Sequence, residues 1–200
     1  MSVASQEAFQ KALIGEMGHV RAFARSLCAG RTDAADDIAQ EALAKAWASR
    51  ERFDANTNLR AWLFSIVRNT FLDQRRKAWR ETLLDNMDGV AGATSGRETS
   101  DKVELEDARR ALSVLPEDQR EAIILVAVAG FSYDEAAEIC DTKPGTMKSR
   151  VNRARARLEE AYANGEIGKA GAHGEALDAL IEEAHARASG QAPPGYGLRR

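Results

Sequence analysis

The sequence predicts an all-α protein: two small helical domains joined by a flexible linker, the C-terminal one with a helix-turn-helix. Three observations carry that expectation. Hydrophobic residues make up 44% of the 200 residues but aromatics only 6%, so Ala and Leu, both good helix formers, fill most apolar positions. Those positions recur with the 3.6-residue helical period in both halves of the chain. Between the halves, residues 81–103 lose the period and turn to Gly, Ser, Thr and Asp, the composition of a linker.

The elements follow in order. HVRAFARSLCAG reads as a short helix with Val20, Phe23, Leu27 and Cys28 inward, stopped near Gly30. In residues 33–47, Ala35, Ile38, Ala39, Ala42, Leu43, Ala46 and Trp47 form an apolar face, with Thr32 or Asp33 as the cap. Asp37, Gln40, Glu41 and Lys45 fall on the other side. Asp54, Asn56, Thr57 and Asn58 are turn and cap residues. A long helix follows, with Leu59, Trp62, Leu63, Ile66, Val67, Thr70 and Phe71 at helical spacing and its cations toward the C-terminal half, where the helix dipole favours them. The first domain is thus expected over 1–80.

After the linker, Leu105, Ala108, Leu112 and Leu115 share one face. Pro116 opens the next helix with Glu117 and Asp118 in its first turn. EAIILVAVAG is apolar nearly all round, as a buried central helix is, and Gly130 ends it. Ser132 and Glu135 form a capping box before a short helix reaching Cys140; Asp141 and Thr142 turn the chain, and Pro144 suits the first turn of a final helix. The second domain is expected over 104–162. In the tail, 163–200, Leu177, Leu180, Ile181 and Ala184 mark one short helix.

The last two helices are the most informative pair. Two short helices joined by a tight turn, the second basic, describe a helix-turn-helix. Met147, Val151, Ala154 and Leu158 make an inward stripe, and Thr146, Arg150, Arg153 and Arg157 make a second stripe facing elsewhere. A helix anchored on one stripe can place the other in a major groove. The net charge of −3 hides two cationic stretches. Residues 60–80 hold Arg60, Arg68, Arg75, Arg76, Lys77 and Arg80 against Asp73 alone, and residues 143–157 hold six cations and no acid. Counterion release is a property of the contacted face, so local cations point to nucleic acid despite the net charge. A pair of solvated helix faces is the plainer alternative.

Several function classes fall away. No apolar run approaches the roughly 20 residues a membrane span needs, and no basic-then-apolar leader opens the chain, so no membrane role and a cytoplasmic location are expected. Cys28 and Cys140 form no disulfide framework and no metal motif and read as small hydrophobes. There is no phosphate loop, no HExxH and no nucleophile elbow, and His19, His173 and His185 are scattered. No enzyme activity, metal or cofactor is expected.

The segments DAADDIAQEALAKAWASRERFD, NLRAWLFSIVRNTFLDQRR and LPEDQREAIILVAVAGFSYDEAAEICDTKPGTMKSRVNRARARL, in this order and spacing, resemble bacterial sigma factors of the extracytoplasmic-function (ECF) type. FSYDEAAEI followed by GTMKSRVNRARARL further resembles their general-stress-response subgroup in alphaproteobacteria. The resemblance implies a sigma factor that binds core RNA polymerase, gives it promoter specificity and captures unpaired bases, with a small soluble anti-sigma protein as inhibitor. It implies that Asp37, Gln40, Glu41, Leu43 and Trp47 dock on the polymerase, although Trp47 also suits a core. Phe53, Asp54, Asn56, Thr57 and Asn58 match the loop that holds a flipped base of the minus-ten element, where short polar groups hydrogen-bond and Phe53 stacks. The same residues also satisfy an ordinary turn with an N-cap. Arg60, Arg68, Asn69, Arg75 and Arg76 match the helix beside the melted promoter. Thr146, Lys148, Ser149, Arg150 and Arg153 match readers of the minus-thirty-five element, with Arg157 on a phosphate. Two other readings stay open: a sigma-like decoy that only sequesters an anti-sigma protein, and a regulator using the helix-turn-helix alone.

Overall fold

The computed structural model describes residues 3–28, 31–84 and 110–167; they contain helices and turns and no strand. The chain divides into two compact units, Met1–Ser113 and Val114–Arg200.

The first unit packs three helices against one another pairwise: α1 (Val3–Leu27), α2 (Thr32–Ala48) and α3 (Leu59–Leu84). α1 is far longer than the 19–30 segment its sequence advertises. Phe9 and Leu13 continue the inward line of Val20, Phe23, Ala24 and Leu27, and all are buried. α2 contributes Ala35, Ile38, Ala39, Ala42 and Ala46, whose small side chains let α1 and α3 approach it closely. α3 contributes Leu63, Phe64, Val67 and Phe71, and the rings of Phe64 and Phe23 stack 4.3 Å apart at 6°. The cap of α2 is Arg31, with no side-chain capping bond; neither Thr32 nor Asp33 precedes the helix, because the helical backbone already includes both. α3 runs on through Leu84, into the stretch expected as linker. The rest of that linker, Leu105, Ala108 and the tail around Leu177 lie outside the described residues.

In the second unit, α4 (Glu117–Ile123) starts after Pro116 as its N-cap. It widens into a π-helical turn, Ile124–Val128, in which the Ala129 amide donates to the Ile124 carbonyl at 2.8 Å. Gly130 ends it at φ 75°. Residues 121–127 are buried, as an apolar central helix requires, but Val128 is 64% exposed. α5 (Tyr133–Ile139) begins on the expected capping box: Ser132 Oγ accepts from the Glu135 amide, and Glu135 Oε2 accepts from the Ser132 amide at 2.9 Å. Its end is a Schellman turn. The Thr142 amide donates to the Ala137 carbonyl, the Asp141 amide to that of Glu138, and Asp141 sits at φ 48°. α6 (Pro144–Ala163) carries Pro144 in its first turn and ends in a second Schellman turn at Gly165. Met147, Val151, Ala154 and Leu158 are buried against α4 and α5, the inward stripe the sequence defines. Cys28 and Cys140 are both buried, each in the core of its own unit.

Candidate polymerase and nucleic-acid faces

On α2, one side carries the buried alanines and Ile38, and the opposite side exposes Asp33, Asp37, Gln40, Glu41 and Ala44. Leu43 and Trp47 border the two, half-buried. Glu41 is held in place. Lys45 Nζ lies 2.7 Å from its Oε1, and Gln74 Nε2 donates to its Oε2 at 2.9 Å. Lys45 first, then Gln74, holds the Glu41 carboxyl below the usual carboxylate range. Lys45 also donates to the buried Thr70 at 3.2 Å, so this network ties α2 to α3 and fixes the acidic edge.

Trp47 closes an aromatic cluster with Phe9, Phe53 and Trp62. Ring centroids lie 6.3 Å apart for Phe9–Trp47, 5.8 Å for Phe9–Phe53 and 5.2 Å for Phe53–Trp62. The Arg50 guanidinium sits 4.9 Å from the Trp47 ring centre. Phe53 is therefore a half-buried member of a packed cluster at the base of the loop. The loop itself is exposed and ordered by its own side chains. Asp54 Oδ1 accepts from the backbone amide and the side-chain amide of Asn56, both at 2.9 Å, an Asx turn. Thr57 Oγ1 donates to the Asp54 carbonyl at 2.7 Å. Asn58 Oδ1 accepts from the Arg60 and Ala61 amides, which makes Asn58 the N-cap of α3.

The candidate arginines of α3 differ in setting. Arg60 forms a two-pronged ion pair with Glu16 of α1, at 2.7 and 3.2 Å, and His19 Nδ1 lies 3.1 Å from the same carboxylate. Bonding from Arg60 first holds the Glu16 carboxyl below its ordinary range, against partial burial. Arg60 thus braces the bundle. Arg68 and Asn69 lie further along, half-buried and exposed. Arg75 and Arg76 are exposed, the first 5.7 Å from the Phe71 ring centre and the second 3.6 Å from Asp73. At i, i+4, i+7, i+8 and i+11, Arg68, Leu72, Arg75, Arg76 and Trp79 form one stripe. Trp79, 65% exposed, is absent from the sequence-based site. Its signal was there in the spacing, but a tryptophan past the apolar period reads as nothing in particular.

On α6, Thr146, Ser149 and Arg150 are half-buried, and Lys148, Arg153 and Arg157 are exposed. Arg150 Nε lies 3.3 Å from Asp118 Oδ2 of α4, and its side chain is only 22% exposed. Arg153 folds back on its own helix, with Nε donating to the Ser149 carbonyl and Nη2 to Ser149 Oγ, both at 3.2 Å. Arg157 Nε donates to the Val114 carbonyl at 2.9 Å, clipping the helix to the chain before α4. Lys143, Pro144 and Gly145, all exposed, open the helix, and a Cβ added at Gly145 would meet nothing within 4 Å. Sequence spacing found the stripe but not Asp118 or Glu16, because a partner 32 or 44 positions away leaves no local periodic signal. Among the described residues, no helix is long and apolar enough to cross a membrane, and no cluster of His, Cys, Asp and Glu is placed to hold a metal ion.

Two family models match the chain: Sigma-70 region 2 over residues 6–81 and Sigma-70, region 4 over 105–158. The chain is similar to the ECF RNA polymerase sigma factor EcfG of Rhodopseudomonas palustris (strain TIE-1), 46% identical over 148 residues that cover 73% of this chain and 80% of the relative. It is 31% identical to the ECF sigma factor SigM of Bacillus subtilis (strain 168) over 133 residues, covering 66% of this chain and 81% of that one. Among solved structures, it resembles the sigma factor RpoE in complex with the anti-sigma factor NepR from Bartonella quintana. The TM-score is 0.71 at 42% identity, covering 78% of this chain and 98% of that one. With region 2 followed by region 4, the chain is a sigma-70-type factor. Within that class the chain belongs to the ECF sigma factors, which bind core RNA polymerase and direct it to promoters.

Proposed function

We propose that this sigma factor serves a stress regulon in the cytoplasm and is kept inactive by a small soluble anti-sigma protein. Its likeness to two sigma factors solved with their inhibitors supports that reading: RpoE with NepR, and CnrH with the cytosolic domain of CnrY, the latter at TM-score 0.60 and 28% identity over 80% of this chain. The outer edge of α2, with Asp37, Gln40, Glu41, Leu43 and Trp47, docks on the polymerase. An acidic rim beside a half-buried Trp and Leu suits a basic partner with an apolar centre.

The exposed turn 54–58 receives a base of the minus-ten element, and α3 follows the melted strand through Arg68, Asn69, Arg75 and Arg76. Phe53 supports the loop from beneath, and Arg60 sets the start of α3 through Glu16. On α6, Thr146, Lys148, Ser149, Arg150 and Arg153 read or grip the minus-thirty-five element, while Arg157 anchors the helix end. The factor itself catalyses no reaction: strand opening draws on base capture and phosphate contacts.

One observation carries this reading. Both candidate DNA helices bury one complete stripe and present cations on another, in two separate units of one chain. The test is run-off transcription with purified core polymerase on a genomic promoter library. Transcripts that depend on the chain, and that a purified inhibitor suppresses, are expected. A chain that binds the inhibitor yet yields no transcript is a decoy.

A further inference from the structure

Trp79 is the bulkiest exposed apolar side chain among the described residues, at 65%. An indole in water forgoes the burial that a tryptophan ordinarily supplies. Its neighbours are cations: Arg75 and Arg76 stand four and three positions before it, on the same helix face, and Arg80 follows it. Arg75 lies 5.7 Å from the Phe71 ring centre and Arg76 lies 3.6 Å from Asp73, so both guanidinium groups rest on the surface of α3 over the turn before Trp79.

An exposed indole on a helix face that also carries arginines fits a ligand with flat rings and regularly spaced negative charge. Unpaired nucleic acid has both: every base has a π face, and a phosphate flanks it on either side. Intact duplex keeps its base faces stacked and has none to offer. A membrane surface calls for a broad apolar face, and here one aromatic stands among charges.

We propose that Trp79 is a stacking platform for one unpaired base of promoter DNA, with Arg75 and Arg76 gripping the adjacent phosphates. The proposal rests on α3 being a DNA face and adds a site beyond the turn at 54–58. Trp79 is exposed, so its replacement leaves the bundle intact.

The test uses the full chain bound to core polymerase on two templates, one fully duplex and kept cold so that it stays closed, and one forked with a single-stranded minus-ten segment. The forked template carries a fluorescent purine analogue at successive positions. Trp79→Ala is expected to weaken retention on the forked template about tenfold, within the range for losing one base–aromatic stack. Duplex binding stays unchanged, and the quenching of the analogue at one position disappears. Trp79→Phe retains most of both. Equal losses on the two templates, or unchanged retention on the fork, overturn the proposal. The double variant Arg75→Ala with Arg76→Ala separates the two levels. If it weakens both templates while Trp79→Ala changes nothing, the stacking site alone fails. If it too binds as the parent does, α3 is not a DNA face and the proposal falls with it.

Discussion

Two side chains that sequence pattern assigns to DNA are held by carboxylates of their own unit, and each pairing has a measurable consequence. Glu16 is half-buried and bonded by Arg60 from the next helix but one, which lowers its pKa in the folded state. A depressed carboxylate adds stability that is fully present above its unfolded pKa and disappears as pH falls through the folded one. Glu16→Gln is therefore expected to cost about 1 kcal/mol at neutral pH, at the low end for charge-assisted bonds because both groups are partly solvated. The difference from the parent shrinks from about pH 5 downward, as the parent itself loses the charge. Thermal melts from pH 3 to 8, roughly spanning the carboxylate range, check it. Arg150 is paired with Asp118 across the helix-turn-helix unit. If the pair aims the guanidinium at a base edge, Asp118→Asn relaxes preference at one promoter base without abolishing binding. Arg150→Ala relaxes the same base and costs roughly 1–3 kcal/mol there, the value of a bidentate arginine–guanine contact. Transcription from a randomised upstream element reads both; loss of preference at different bases separates the two residues.

At the scale of the helix, legibility followed from whether a signal is local. The helix-turn-helix could be read almost completely because its cues lie within a few residues: the Ser132–Glu135 box, Pro144 at the start of α6, and four inward residues at a regular spacing. The first half of α1 could not. Gly15 and Gly18 interrupt its pattern with residues that weaken helices, and the stretch is helical because Phe9 and Leu13 pack into the unit's core. Both glycines are exposed, and a Cβ at either meets nothing within 4 Å. Gly18→Ala is therefore expected to stabilise the protein by about 0.5–1 kcal/mol, through intrinsic helix preference and a less free unfolded chain. Denaturant titration at constant m-value measures it. The candidate site divides the same way: exposed stripes on α2, α3 and α6 were legible as periodic patterns. The packing of Phe53 against the rings of Phe9 and Trp62 and the engagement of Arg60 were not, because both depend on which helix lies alongside.

For the molecule as a whole, the proposed function divides the labour between the two units, so disabling one function is not expected to disturb the other. Asp37→Arg together with Gln40→Ala changes only exposed positions of α2. The double variant is expected to lose capture by core polymerase while keeping the helical circular-dichroism signal and melting temperature of the parent. Reversing a charge at a complementary interface weakens association far more than it alters a solvated helix. Unchanged capture would move the docking surface off this edge. Burial of the two thiols has a bearing on how long such a factor survives. Only a thiolate reacts readily with peroxides or alkylating agents, and burial pushes the Cys28 thiol up, away from that form. Cys140 is 4% exposed. Incubation of the native protein with iodoacetamide should leave both unmodified for as long as the fold holds, with labelling appearing only on denaturation. A transcription factor made of this chain is expected to carry no thiol fuse: an oxidative burst that damages other proteins should leave its two cysteines untouched.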